Sequence, residues 1–155
     1  MRNAGNAIWF VFGGWLASTI WIIGAIIFAI SIVGLPFSRA ALELAKLSAF
    51  PFGKDVVYIR DVDQMEPSTN RLLIGTVGMV LNLLWMFTFG IVLFCVYLII
   101  GLSFWITIVG IPFGLQAFKL AAMSLFPIGR RVVSIETANI IRGEKASLEL
   151  KQSRH

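Results

Sequence analysis

Two stretches of this chain carry no charged side chain: residues 3–38 and residues 72–118. Thirty-six and forty-seven consecutive uncharged residues leave few options. The hydrocarbon core of a bilayer is ~30 Å thick, and about 20 apolar residues cross it as a helix. A buried helix of a soluble domain needs no such length. The whole chain agrees, being 58% hydrophobic and 14% charged, where soluble domains are about one-quarter charged. Arg2 could open a secretory signal, but that pattern has an apolar core of only ~7–15 residues. The first run is longer, so it is read as a retained membrane segment.

The second constraint is a duplication. With an offset of 76 and no gap, Asn6 falls on Asn82, Trp9 on Trp85, Gly14 on Gly90 and Phe28 on Phe104. The segment "SIVGLPFSRAALELAKLSAFPFGKDVV", residues 31–57, nearly recurs as "TIVGIPFGLQAFKLAAMSLFPIGRRVV", residues 107–133. Apolar sequence aligns by chance; matched Asn, Trp, Pro and Gly at one fixed offset do not. The expected division is a first repeat over 1–60, then a linker with the start of the next membrane helix over 61–78. A second repeat follows over 79–138 and a tail over 139–155.

Charge orients the duplication. Lysine and arginine gather on the cytoplasmic side of short loops. Residues 39–71 hold five such residues and the tail from Lys119 holds seven, so the linker and the C-terminus are both placed inside. The two repeats then run parallel, related by an axis along the membrane normal, unlike inverted transporter repeats. Residues 72–118 must cross twice, and repeat symmetry asks the same of residues 3–37. The expected fold is an all-α membrane protein of four spans, with three as the alternative, and an N-terminus expected inside. Each repeat is a hydrophobic helical hairpin turning near Gly13-Gly14 or Ser18-Thr19 in the first copy and near Gly90 or Gly101 in the second. A cytoplasmic interfacial helix and a short β-prone segment follow.

The punctuation supports that reading. Gly34 with Pro36, and Gly110 with Pro112, are read as helix stops, glycine taking a left-handed turn and proline unable to continue the helix. Arg39, Glu43 and Lys46 then share one face of an amphipathic helix, the pattern of a segment lying along a membrane surface. Lys119 is its thinner counterpart and would snorkel to the headgroups. Pro51 with Gly53, and Pro127 with Gly129, turn the chain away from the bilayer. Val56–Ile59 and Val132–Ile135 are β-prone. The tail is expected to begin as a weak helix and end disordered.

Two hydrophobic hairpins, each followed by I-V-G-[LI]-P-F, then A-x-x-L-A-x-x-S-x-F-P-x-G and a V-V pair, resemble the YccF family of bacterial inner membrane proteins. "FPIGRRVVSIETA", residues 126–138, is especially similar to that family's C-terminal repeat. The resemblance covers roughly residues 6–138. It implies a small polytopic protein of the bacterial inner (plasma) membrane built from two YccF-type repeats, and it implies no reaction.

Candidate chemistry is sparse. A lone cysteine, Cys95, forms no intrachain disulfide, and one His with one Cys supplies no haem, zinc or iron–sulfur site, so no metal or cofactor is expected. The uncharged runs lack the ionisable groups that mark proton relays and the base that a hydrolase nucleophile needs; no enzyme is expected. Asn6 and Asn82 are the sharpest intramembrane polar pair. With Thr88, Ser103 and Thr107 they are candidates either for helix packing or for lining a pore, and the hydroxyls could instead bond their own helix carbonyls. Trp9, Trp15, Trp21, Trp85 and Trp105 suit interfacial belts. Equivalent positions carry opposite charges, Glu43 against Lys119 and Asp55 against Arg131, so groups near a two-fold axis could meet there. Arg130 and Arg131 suit lipid headgroups, and basic residues spread along a membrane face exclude a nucleic-acid partner. Matched small and polar residues favour a homo-oligomeric channel or pore for a small ion. The alternative is a non-conducting organiser that holds anionic lipid or a partner protein on its basic face.

Overall fold

The structure, a computed structural model, describes residues 2–30, 34–63 and 75–153. Ser31, linker residues 64–74 with Arg71, and Arg154 and His155 lie outside the described residues. In order, the elements are α1 (Arg2–Trp9), a π-type turn (Phe10–Gly14), α2 (Trp15–Ile30), α3 (Leu35–Ala49), β1 (Lys54–Tyr58) and α4 (Ile59–Asp63). The second half runs α5 (Thr76–Trp85), a π-type turn (Met86–Gly90), α6 (Ile91–Trp105), a 3-10 turn (Ile108–Gly110), α7 (Ile111–Leu125), β2 (Arg130–Ser134) and α8 (Ile135–Gln152).

The hairpins turn elsewhere than the sequence reading placed them. Neither Gly13-Gly14, Ser18-Thr19, Gly90 nor Gly101 reverses the chain. The chain keeps its direction through the π-type turns, giving paths Asn3–Ile30 and Gly78–Trp105 of 28 residues each; the first is broken by a kink at Gly13, whose backbone is not helical. Reversal comes at the Gly-x-Pro motif. Gly34 (φ −83°) and Gly110 (φ −77°) are right-handed and begin the next helix; they are not left-handed helix ends. Pro36 and Pro112 fall in its first turn, where a missing N–H costs nothing. Glycine is needed at 110 for space: a Cβ there would lie 2.0 Å from the Phe104 carbonyl oxygen. By contrast Gly53 (φ 98°) and Gly129 (φ 88°) do take the left-handed region, as a Pro–Gly turn requires.

What read as interfacial helices, α3 and α7, lie lengthwise and antiparallel along α2 and α6. The Ser18 hydroxyl donates to the Ala45 carbonyl at 2.6 Å, while the Phe28 ring packs tilted against Phe37 with ring centres 4.6 Å apart. Among the described residues three helices are long and apolar enough to cross a membrane: Asn3–Ile30, Gly78–Trp105 and Ile108–Leu125. That is one fewer than the four expected and equals the alternative of three. The shortfall is α3, which carries Arg39, Glu43 and Lys46 on an exposed face where its equivalent α7 carries Lys119 alone; it still runs back along α2.

The β-prone pieces pair. β1 and β2 form a two-stranded antiparallel sheet centred on Val56 against Val132, with Lys54 opposite Ser134 and Tyr58 opposite Arg130. Val56 and Val132 are equivalent in the duplication, and antiparallel pairing centred on equivalent residues is a local two-fold relation. A second such meeting occurs between the long helices, where the Trp21 indole N–H donates to the Tyr97 hydroxyl at 3.3 Å. Residues 21 and 97 are again 76 apart.

Between these two points the centre is packed with aromatic rings. Trp85 lies 4.7 Å from Trp21, 5.0 Å from Phe37, 5.3 Å from Phe89 and 5.8 Å from Phe28, ring centre to ring centre. Trp9, its counterpart, stacks at 6.2 Å on Phe104, which in turn stacks on Phe113. Each half thus inserts its tryptophan among rings of the other. Volumes are exchanged across the contact: Gly24 makes room for Trp85 and Phe89, and Gly13 makes room for Ile100. Positions 24 and 100, and 13 and 89, are equivalent, so a large residue in one copy meets a glycine in the other.

The tail is more ordered than its sequence suggested. α8 continues to Gln152, started by the Ser134 hydroxyl accepting from the Thr137 N–H at 3.1 Å. Ala138 and Ile141 bury one face of it against Val57.

Candidate functional site

The matched polar residues of the long helices do structural work at the sheet end, here called the base. In α1 the Asn6 amide clamps the Pro–Gly turn: it donates to the Phe52 carbonyl at 3.2 Å and accepts from the Phe52 N–H at 2.9 Å. Asn82 in α5 treats Ile128 identically, at 3.3 and 2.9 Å. One helical turn later the Trp9 indole N–H donates to the Ser48 carbonyl at 2.7 Å, and Trp85 to Ser124 at 2.8 Å. Those carbonyls sit in the last turns of α3 and α7, where the helix offers no N–H donor of its own. Gly14 and Gly90 let these carbonyls approach, since a Cβ at either would lie 3.2 Å from the oxygen. Trp9, Trp21 and Trp85 are therefore buried core residues, against the belt expectation. Trp15 and Trp105 are half exposed, as belt residues would be.

The hydroxyls proposed for a pore bond their own helices. Thr88 donates to the Leu84 carbonyl at 2.8 Å, Ser103 to Ile99 at 2.7 Å and Thr107 to Phe104 at 3.3 Å. All three residues are exposed on the outside of the molecule. Cys95 is exposed too, and among the described residues no His, Cys, Asp or Glu cluster could hold a metal.

The charged residues meet in a different combination from the one their equivalence suggested. Lys119 on α7 pairs with Asp55 on β1 at 2.5 Å, not with Glu43. Arg142 on α8 reaches the other carboxylate oxygen of Asp55 at 2.7 Å, in place of Arg131. Glu43 and Arg131 stay exposed. The cause is the sheet: β1 turns the Asp55 side chain toward α7 and the tail, where it is buried. Burial raises the Asp55 carboxyl pKa. The hydrogen bonds from Lys119, Arg142 and the Val56 N–H outweigh that and hold it below the usual carboxylate value. Lys145 to Asp61 at 3.0 Å adds a second tie, between α8 and α4. Sequence reasoning counted Arg142 and Lys145 only as basic residues of the tail and gave them no partners.

Beside this cluster the base is basic and partly hollow. A cavity of about 510 Å³ opens between the start of α5 and the sheet. Met79, Leu83 and Ile128 form its apolar side, and Tyr58, Arg60 and Thr76 its polar one. Arg130 lies over the Tyr58 ring, 5.4 Å from its centre, a cation–π contact, and Arg131 is exposed on the adjacent strand position.

Long apolar helices, a ring-filled centre and a basic base define a helical membrane protein without an assembled catalytic constellation among its described residues. The chain belongs to the YccF family, whose model, described as an inner membrane component domain, matches it twice, at residues 4–54 and 80–130. The chain is 38% identical over 146 residues to the inner membrane protein YccF of Escherichia coli (strain K12), and equally to that of Shigella flexneri. Each comparison spans 94% of this chain and 97% of the relative. No solved structure matches.

Proposed function

We propose that this chain is a multi-pass inner membrane scaffold. It does not conduct, and it gathers anionic lipid headgroups on a cytoplasmic basic base. The observation that carries this reading is the filled contact between the repeats. Trp9, Trp21, Trp85, Tyr97 and Phe37 are almost wholly buried there, where a conduit through one chain would have to run. The residues that favoured a pore in the sequence are spent on backbone partners: the two Asn amides on the Pro–Gly turns, the hydroxyls on their own helices. A homo-oligomeric channel would need its path between chains, along surfaces whose polar atoms are already engaged.

Charge supports the orientation. The base carries Lys54, Arg60, Arg130 and Arg131, with Arg142, Lys145 and Lys151 on the tail helix, whereas the opposite turns have Arg39 as their nearest basic residue. Basic excess marks the cytoplasmic side and attracts anionic headgroups at about 1 kcal/mol per Lys or Arg near the surface. Asn6 bonds the Phe52 turn, so the N-terminus shares this side. The two parallel repeats then stand about an axis near the membrane normal.

Reconstitution into liposomes tests the reading. Purified protein should give no K⁺, Na⁺ or Cl⁻ flux above empty vesicles across applied voltages. It should co-purify with anionic rather than zwitterionic lipid. A reproducible unitary conductance would overturn the scaffold reading in favour of the oligomeric pore.

A further inference from the structure

We infer that the Gly-x-Pro turns joining the long and short helices, remote from the base, stay submerged in the lipid of the far leaflet and never emerge as aqueous loops. The partner of this end of the molecule is acyl chain.

Three independent observations converge. The first is exposure of the wrong kind for water. Ile30 beside the first turn, and Ile106, Ile108 and Val109 in the second, are 82–87% exposed, with Leu35, Trp105 and Ile111 roughly half exposed around them. A water-facing loop is ordinarily polar. No charged residue lies between Arg71 and Lys119, so the second turn has nothing of its own to hold it in water.

The second is backbone chemistry. In hydrocarbon every backbone donor must find a partner within the protein. Three donors of the second turn, at Thr107, Gly110 and Ile111, meet that demand. The Thr107 N–H donates to the Phe104 carbonyl at 3.2 Å. The Gly110 N–H donates to the Thr107 carbonyl at 3.0 Å and to its hydroxyl at 3.1 Å. The Ile111 N–H donates to the Ile108 carbonyl, and Pro112 has no N–H to satisfy. The Thr107 hydroxyl returns its own proton to Phe104. A turn open to water has no need to turn these donors back on its own carbonyls and hydroxyl.

The third is length. Residues 86–106 rise roughly 30 Å, about the thickness of the hydrocarbon core. The turn then ends at the far edge of the core once Asn82 and its Pro–Gly turn sit among the near headgroups. Trp105, half exposed just before the turn, lies where an interfacial anchor belongs. In the first repeat Arg39, exposed one turn along α3, is within snorkelling reach of the far headgroups. A molecule seated this way offers a soluble partner one face only, the base.

The test uses the full chain in lipid nanodiscs, where both faces meet water and orientation does not matter. Cys95→Ala removes the native thiol. Val109→Cys then probes the second turn, Ile30→Cys the first, and Glu149→Cys, exposed on α8, is the aqueous control. A charged maleimide should label Val109→Cys and Ile30→Cys at least roughly tenfold more slowly than the control, because only the thiolate reacts and an apolar setting suppresses it. All three should label alike in SDS. A bimane carried on Val109→Cys should be quenched by lipid bearing a nitroxide on its acyl chain, which distinguishes lipid from another copy of the chain as the cover. Labelling as fast as the control, or no acyl-chain quenching, overturns the inference.

Discussion

Trp85→Ala should destabilise the protein by about 3–5 kcal/mol, the range for removing a large aromatic from a packed core. Trp85 is 0% exposed. Its ring joins helices of both repeats, and its indole N–H satisfies a terminal carbonyl of α7. Truncation opens a cavity between the halves and orphans that carbonyl in apolar surroundings, a second loss. Trp9→Ala should follow it, since Trp9 makes the equivalent bond to Ser48. Trp105→Ala is the control: that residue is half exposed, and lipid replaces most of what it touches. SDS titration of protein in mixed micelles, followed by far-ultraviolet circular dichroism, reads all three. Midpoints for Trp85→Ala and Trp105→Ala that coincide would show that the rings between the repeats do not hold them together.

Asp55→Asn should release α8 from the base and cost roughly 1–3 kcal/mol. The buried carboxylate is the shared acceptor of Lys119 and Arg142, and the amide leaves two cations facing no anion. Wild-type protein should show the same weakness in acid, and the sign follows from the pKa shift. The Asp55 carboxyl lies below its ordinary value of 3.8 in the folded protein, so the unfolded chain binds protons more readily. Its stabilising contribution is present above about pH 3.8 and is lost as pH falls through the lower folded value. Limited proteolysis of the tail between pH 7 and pH 3 checks both claims. Cleavage after residue 135 should rise in acid for wild type, and be high with little dependence on this titration for Asp55→Asn. Protection of the variant's tail at pH 7 equal to wild type would remove Asp55 from this role.

The membrane helices, the duplication and the sharp Pro–Gly turns were legible in the sequence because each rests on local chemistry. Uncharged length reports hydrocarbon, an offset of 76 reports copying, and Gly53 and Gly129 report left-handed turns. The hairpin geometry was not legible. Gly-x-Pro reads equally as the end of one helix or the start of the next, and the choice fell to a close approach, Gly110 against Phe104, that no local pattern encodes. The role of Trp9 and Trp85 was hidden for a similar reason. A tryptophan in an apolar run fits a belt or a core, and its acceptors, Ser48 and Ser124, lie 39 residues away. Equivalence in the duplication set Asp55 against Arg131 and Lys119 against Glu43, whereas Asp55 and Lys119 meet each other. Strand pairing, not equivalence in the repeat, decides which side chains face each other. The pairing of Arg142 escaped notice because a helix of low apolar content, α8, holds to the sheet through only a few buried side chains such as Ala138 and Ile141.

Two repeats of one chain close on each other, with Val56 opposite Val132 and aromatic rings filling the space between. Lys54→Cys with Ser134→Cys, in the Cys95→Ala background, tests that most directly. These positions are sheet partners, and partners in an antiparallel pair lie about 4.5–5.5 Å apart, within disulfide reach. Mild oxidation in membranes should give a fast-migrating monomer with an intramolecular bridge at near-complete yield. Bridged dimers as the main product, or no bridge at all, would contradict it, because the repeats would then be pairing between chains or not pairing through these strands.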